Sequence, residues 1–235
     1  MLSVTSLSGF GSGSVAANVS SLEFGSSATA ATPGSSTTYT LDIGTAAADR
    51  YVLIGTGVQV NGTGAASVKI HVPDVSTDSS GTACSVVLEA TVNSESNSSF
   101  WLSDSLITSG TSAEVVIVYD SSGAYRAGAA SWAVYNINTT VSDTDTSTAN
   151  PFSGTVTIPA DGIAFAYLIS GAGANSFDWT GGAAVTERFD DNPEAACQVS
   201  GADHATAGSI EFNAQGSPAP GASRVMAVVA FGPPS

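Results

Sequence analysis

Val52, Ile54, Thr56, Val58 and Val60 occupy every second position of the run from Tyr51 to Val60. A period of two sends alternate side chains to opposite faces of an extended strand, and no helix can use it. The same period recurs along the chain. Val68, Ile70 and Val72 alternate with Ser67, Lys69 and His71, and Val86, Leu88, Ala90 and Val92 leave Glu89 and Thr91 on the other face. Further short β runs are Tyr39 to Ile43, Phe100 to Leu106, Glu114 to Tyr119 and Ala127 to Ile137. After a polar loop from Ser142 to Asn150 come Thr155 to Ile158, Ile163 to Ile169, Val185 to Phe189, Ala195 to Ser200, Ser209 to Phe212 and Arg224 to Phe231. Between them stand turn pairs such as Asn61-Gly62, Ser80-Gly81, Ser122-Gly123, Asp161-Gly162 and Gly181-Gly182, whose residues suit tight reversals.

Short strands at this regular spacing predict an all-β sandwich or barrel. The continuous run Glu114-Val-Val-Ile-Val-Tyr119 points to strands covered on both faces. A two-sheet, jelly-roll-like β-sandwich meets that demand and limits exposed edges. One helical turn at most is expected, at Asn192-Pro193-Glu194-Ala195-Ala196, where a capping residue precedes proline and an acid. Trp132 to Ile137 and Phe165 to Ile169 look alike, and both read as core packing, not as duplication. The loop at 142–150 is weighed as a domain boundary and set aside in favour of a single β domain over 37–235.

Residues 1–36 are rich in Ser, Gly and Ala, with sparse anchors at Val4, Leu7, Phe10, Val15, Val19, Leu22 and Phe24. Such a stretch cannot build a core, so it is expected as an extended arm. Val4, Leu7, Phe10, Leu22 and Phe24 are its candidate contacts to another subunit or a capsid.

Composition narrows the function. The chain has 235 residues and a formal charge of −15, with only Arg50, Lys69, Arg126, Arg188 and Arg224 as basic residues. Binding a phosphate backbone needs clustered cations, so direct nucleic-acid binding is not expected. Nothing approaches the length of a membrane span, and Met1 to Ser21 lacks the basic and apolar regions of a secretory signal. Synthesis in the cytoplasm is expected, unless a leader was removed ahead of Met1. The two cysteines, Cys84 and Cys197, are expected inside as small hydrophobic groups, and a disulfide between them is the alternative.

Conventional catalysis finds little material. A Ser–His–acid triad needs a histidine within reach of both partners. His71 lies on the polar face of its strand, while His204 sits in Gly201-Ala-Asp-His-Ala205 without a Gly-x-Ser-x-Gly elbow. Cysteines and histidines are too scattered for zinc, and Gly9-Phe-Gly-Ser-Gly13 leads to no phosphate-binding lysine. Glu187, Asp190, Asp191 and Glu194 lie in sequence near Trp179. Paired acids can hydrolyse glycosides, and an aromatic ring beside acids can hold a sugar. The plainer reading is that these acids cap turns and one pairs with Arg188. On the sugar reading, Trp179, Glu187 and Asp190 are the candidate carbohydrate contacts. No cofactor is expected; Asp143-Thr-Asp145 and Asp190-Asp191-Asn192 offer oxygens for a structural calcium, without the ordered ligand spacing of a dedicated loop.

Several segments resemble β-sandwich virion structural proteins of tailed bacteriophages, marine ones included. They are Asp49-Arg50-Tyr51-Val52-Leu53-Ile54, Ala130-Ser131-Trp132-Ala133-Val134-Tyr135, Phe177-Asp178-Trp179-Thr180-Gly181, Val185-Thr186-Glu187-Arg188-Phe189-Asp190 and the closing strand Arg224 to Phe231. The resemblance covers roughly residues 40–232 and carries no catalytic residue over. It implies a non-enzymatic component on the virion surface, made in the host cytoplasm. A capsid decoration or cement protein is foremost, with a tail- or fibre-associated carbohydrate-binding module as the alternative. The implied partners are the major capsid protein or other virion proteins and further copies of the chain, often as trimers, with a host glycan under the alternative.

Overall fold

A computed structural model describes residues 19–60, 64–72, 81–93, 95–120, 124–171, 176–180, 185–194, 197–217 and 223–234. Among them lie sixteen strands and no helix: β1 (Ser21–Ala30), β2 (Ser36–Asp42), β3 (Arg50–Val60), β4 (Ala65–His71), β5 (Thr82–Val92), β6 (Ser96–Ser103), β7 (Ser112–Tyr119), β8 (Ala124–Tyr135), β9 (Val141–Ser147), β10 (Phe152–Ile158), β11 (Ile163–Gly171), β12 (Phe177–Trp179), β13 (Thr186–Glu194), β14 (Cys197–His204), β15 (Gly208–Gly216) and β16 (Ser223–Phe231). The all-β sandwich expected from the periodicity is what the chain forms, in antiparallel sheets packed face to face.

The first half, to Tyr135, makes one eight-stranded sheet in the order β1-β8-β3-β6-β5-β4-β7-β2. This sheet curls until its two ends meet. The Oγ of Ser26 on β1 accepts the amide N–H of Asp42 on β2 at 2.9 Å. A Cβ on Gly25 would run into the Asp42 carbonyl oxygen, so the approach needs a glycine there. The second half makes a five-stranded sheet, β13-β14-β11-β16-β9, and a three-stranded sheet, β10-β15-β12. Three sheets thus stand where the pattern suggested two.

Three cores separate the layers. Val52, Ile54, Ile70, Val115 and Ile117 fill the curled sheet. Phe152, Val156, Leu168, Phe212 and Val228 lie between the two sheets of the second half. The middle core joins the halves: Phe100, Trp132 and Val134 meet Phe165, Tyr167, Val229 and Phe231. Strands β8, β11 and β16 therefore have apolar neighbours on both faces, which is why Ile163–Gly171 is buried throughout. Aromatic rings dominate the seam, with Trp132 edge-on to both Phe24 and Phe165 at 5.6 Å, a favoured geometry for ring pairs.

Counted within its own half, the first set of ladders runs first, eighth, third, sixth, fifth, fourth, seventh, second. The second half repeats it, as first-eighth-third-sixth-fifth in one sheet and fourth-seventh-second in the other. The only rung without a counterpart is fifth to fourth, since β13 and β12 touch but carry no ladder among the described residues. The expectation of an unrepeated chain thus gives way to a repeated strand order. Trp132 and Phe165, from the segments that looked alike, lie on non-equivalent strands, β8 and β11, and both line the middle core.

Other expectations shift as well. Residues 21–30 of the expected arm form β1, paired with β8 on either side of a register shift between Phe24 and Ser27. Leu22 and Phe24 pack against the middle core of the same chain, while Val4, Leu7 and Phe10 lie outside the described residues. The expected loop at 142–150 contains most of β9, which pairs with β16. The expected helical turn at 192–196 is instead the end of β13 as far as Glu194, beyond which Ala195 and Ala196 lie outside the described residues. β13 is an edge strand, and Pro193 falls where its register with β14 shifts, between Asp191 and Glu194. A proline lacking N–H is tolerated at that kind of position. Asn61-Gly62, Ser122-Gly123 and Gly181-Gly182 also fall outside the described residues.

Candidate functional site

The candidate carbohydrate residues meet at the rim where β12 passes β13. Trp179 is half-buried, and its indole Nε1 donates inward to Ser200 Oγ at 2.8 Å. Ser200 Oγ in turn donates to the Phe189 carbonyl at 2.9 Å. The Trp179 ring stands edge-on to Phe212 at 6.4 Å. One edge of the indole is thus fixed in the sheet, and a ligand would meet the remaining open part of the ring.

Asp190 has both carboxylate oxygens engaged. Oδ2 accepts the Phe177 amide at 2.9 Å, and Oδ1 accepts Gln198 Nε2 at 2.6 Å. The first bond spans the gap where β12 and β13 lack a ladder, so the side chain replaces a rung. Burial nonetheless pushes the Asp190 carboxyl above its usual range, against those two bonds. Glu187 is exposed on the same strand, and its carboxyl is also raised, first by partial desolvation and then by Asp190 and Asp178. The structure therefore brings Trp179, Glu187 and Asp190 into one neighbourhood, with Asp190 serving the backbone.

The other acids are taken up in different ways. Arg188 does not pair with the neighbouring acids on its own strand. It grips Asp203 on β14, Nε to Oδ2 at 2.6 Å and Nη2 to Oδ1 at 2.8 Å. Glu194 pairs with Arg126 on β8, and Asp191 accepts the hydroxyl of Ser27 on β1. Both contacts cross between the halves.

The aspartates considered for calcium also act as rungs. Asp145 Oδ2 accepts the Thr155 amide and Asp143 Oδ2 accepts the Thr157 amide, each at 2.7 Å. Their Oδ1 atoms accept the amides of Thr146 and Thr144. This stitches β9 to β10, as Ser26 stitches β1 to β2. Among the described residues no group of three or more His, Cys, Asp or Glu side chains is placed to hold a metal ion.

His204, expected in a loop, ends strand β14 and is 6% exposed. Cys84 and Cys197 are buried free thiols in different cores. The residue that sequence reasoning undervalued is Arg50. It is wholly buried, and its guanidinium donates to the carbonyls of Ile107 (2.8 Å), Ile43 (3.2 Å), Gly44 (2.7 Å), Ser109 (2.7 Å) and Gly110 (2.9 Å). It knots two loops to the start of β3. An arginine opening an apolar strand was the available signal, since a cation entering a core must bring its acceptors with it.

No protein-family model matches this chain, and no curated protein sequence matches it.

Proposed function

We propose that this is a non-enzymatic virion structural protein displayed on the surface of a bacteriophage particle, and that capsid decoration or cement is its role. The observation that carries the reading is the strand order. First-eighth-third-sixth-fifth and fourth-seventh-second, the neighbour orders common to both halves, support a jelly-roll assignment for each half, and double-sheet jelly rolls serve capsids and lectins. Fold alone does not fix function, so the side chains carry the rest. Of the six acids that suggested sugar or calcium chemistry, Asp143, Asp145 and Asp190 accept backbone amides across strands, and Asp191 and Glu194 bind side chains of the other half. The outward face of β10 and β15 is hydroxyl-rich and polar, with Ser153, Thr155, Thr157, Glu211 and Gln215 exposed.

In this reading the major capsid protein is the partner, the chain assembles as a trimer or another symmetric oligomer, and residues ahead of Val19 clasp a neighbour. Imaging the assembled particle tests it. Density for this fold on the outer shell is the expected result, and its absence from purified particles would sink the proposal. Deleting residues 1–18, which spares β1, should abolish particle binding; retained binding would eliminate the clasping arm.

A tail- or fibre-associated carbohydrate module is the second reading, favoured by the half-buried Trp179 on β12 and the exposed Glu187 on β13, the strand that β12 touches. Its test is a glycan array with the intact chain and Trp179→Ala. A binder lost in the variant would move the assignment to adhesion, and no binder would eliminate it.

A further inference from the structure

We infer that the chain is a fused dimer: two copies of one eight-stranded unit, joined through residues 136–140, that hold each other across the middle core. The face of β1, β8, β3 and β6 is thus an interaction surface, and its partner is a second unit of the same design.

Register supports the duplication beyond strand order. In the first half Leu53 pairs with Trp132 and Tyr51 with Val134. In the second, Phe165 pairs with Val229 and Ile163 with Phe231. Setting Tyr51 on Ile163 and Leu53 on Phe165 therefore sets Trp132 on Val229 and Val134 on Phe231, and all eight residues face the middle core or pack against it. The alternate positions agree. Val52 and Ile54 face the first half's own core, and Ala164 and Ala166 face the second half's own core. Sequence follows at the second strand, where Ser36-x-Thr38-x-Thr40-Leu41 matches Ser153-x-Thr155-x-Thr157-Ile158. Leu41 and Ile158 point into their own cores, and the hydroxyl residues point away from them.

The seam has the reciprocity of a two-fold interface, in which surface i meets j and j meets i. First strand meets fifth in both directions, as β1 on β13 and β5 on β9. Eighth meets sixth in both directions, as β8 on β14 and β16 on β6. Third meets third, as β3 on β11, which places the axis there.

At the axis the copies have diverged into a knob and a hole. Gly55 and Gly57 lie against Tyr167, and a Cβ on Gly57 would stand 2.7 Å from its ring. Cross-strand, Gly55 neighbours Phe100, whereas Tyr167 neighbours Gly201. Two identical first units would meet glycine on glycine and leave a void, and two second units would press tyrosine on tyrosine. The mismatch selects the unlike pair, a repulsive element as well as an attractive one.

The test uses the whole chain with a protease site inserted between Thr139 and Thr140, both exposed, the uncut insertion variant being the folding control. After cutting, the two pieces should stay together at the size of the intact chain with unchanged β-sheet circular dichroism. Loss of that signal relative to the uncut control would overturn the inference. Isotope-labelled and unlabelled cut protein are then mixed under native conditions and followed by native mass spectrometry. Hybrids carrying one labelled and one unlabelled half should appear faster than global unfolding, which hydrogen exchange measures in the same sample. Hybrids no faster than global unfolding would mean one interdigitated domain, and would overturn it. Gly55→Leu should speed hybrid formation by roughly tenfold or more, since overpacking strains the seam.

Discussion

The indole Nε1 of Trp132 donates to Asp203 Oδ2 at 3.0 Å, linking β8 of the first half to β14 of the second. Asp203 is 2% exposed and is held from its other side by Arg188. Burial keeps its carboxyl above the usual range in spite of both donors. Trp132→Phe would retain most of the ring packing and leave that acceptor short of a donor. A loss of about 1–3 kcal/mol is expected, the range for leaving a buried acceptor underbonded. Urea unfolding at neutral pH measures it, and an unchanged midpoint would show that the link contributes nothing.

Arg50 offers a sharper case. Five N–H groups meet five carbonyls, and lysine has one point charge and no planar fork. Arg50→Lys should destabilise by roughly 3–5 kcal/mol, as expected when a buried charge loses its satisfied geometry. Thermal or urea denaturation would register this as an early transition. Arg50→Met should also be costly, because the loop carbonyls would remain without donors.

Stability should peak in mildly acid solution. Glu187, Asp190 and Asp203 have raised carboxyls. Their contribution is complete below the ordinary carboxylate range and is lost as pH rises through the folded-state values. Glu23 and Glu194 are lowered, the first chiefly by the Thr45 amide and the second by Arg126. Their contribution is present above the ordinary range and is lost as pH falls through their folded-state values. Relief of a net charge of −15 acts in the same direction as the raised group. The urea midpoint should climb as pH is lowered from neutrality toward the ordinary carboxylate range, about pH 4, and fall again below it. A midpoint that falls steadily on acidification would contradict this assignment.

The carboxylate rungs make a local prediction. Asp145→Ala and Asp143→Ala remove the acceptors of the Thr155 and Thr157 amides, and each should cost about 1 kcal/mol, a typical net hydrogen bond. Hydrogen exchange should accelerate at those two amides first. Asp145→Asn keeps an oxygen acceptor and should be milder. Added calcium should leave the wild-type midpoint unchanged; a rise would restore the ion-binding reading of these residues.

Much of the fold was legible because apolar alternation reports directly on which face is covered. Val52–Ile54 and Val68–Ile70 give their strands away for that reason. β1 and β9 were not legible. Gly25, Ser26, Ser27 and Ala28 follow Phe24 with almost no apolar signal, because β1 must come close to β2, where bulk is excluded. β9 reads Val-Ser-Asp-Thr-Asp-Thr-Ser, since its acids face backbone donors and not a core. The candidate site shows the same limit. Sequence proximity gathered Trp179, Glu187 and Asp190, but composition could not reveal that Asp190 bridges two strands. The repeated unit was hidden because its copies preserve register more than residues: Trp132 answers to Val229, and Leu53 to Phe165.

Cys84 and Cys197 sit in separate cores, and burial pushes both thiols up to about 12. Neither forms a thiolate at neutral pH, the species that attacks a disulfide or an oxidant. Their burial in separate cores leaves the two thiols apart from each other, so the halves are held by packing, hydrogen bonds and an ion pair and not by a bond between these cysteines.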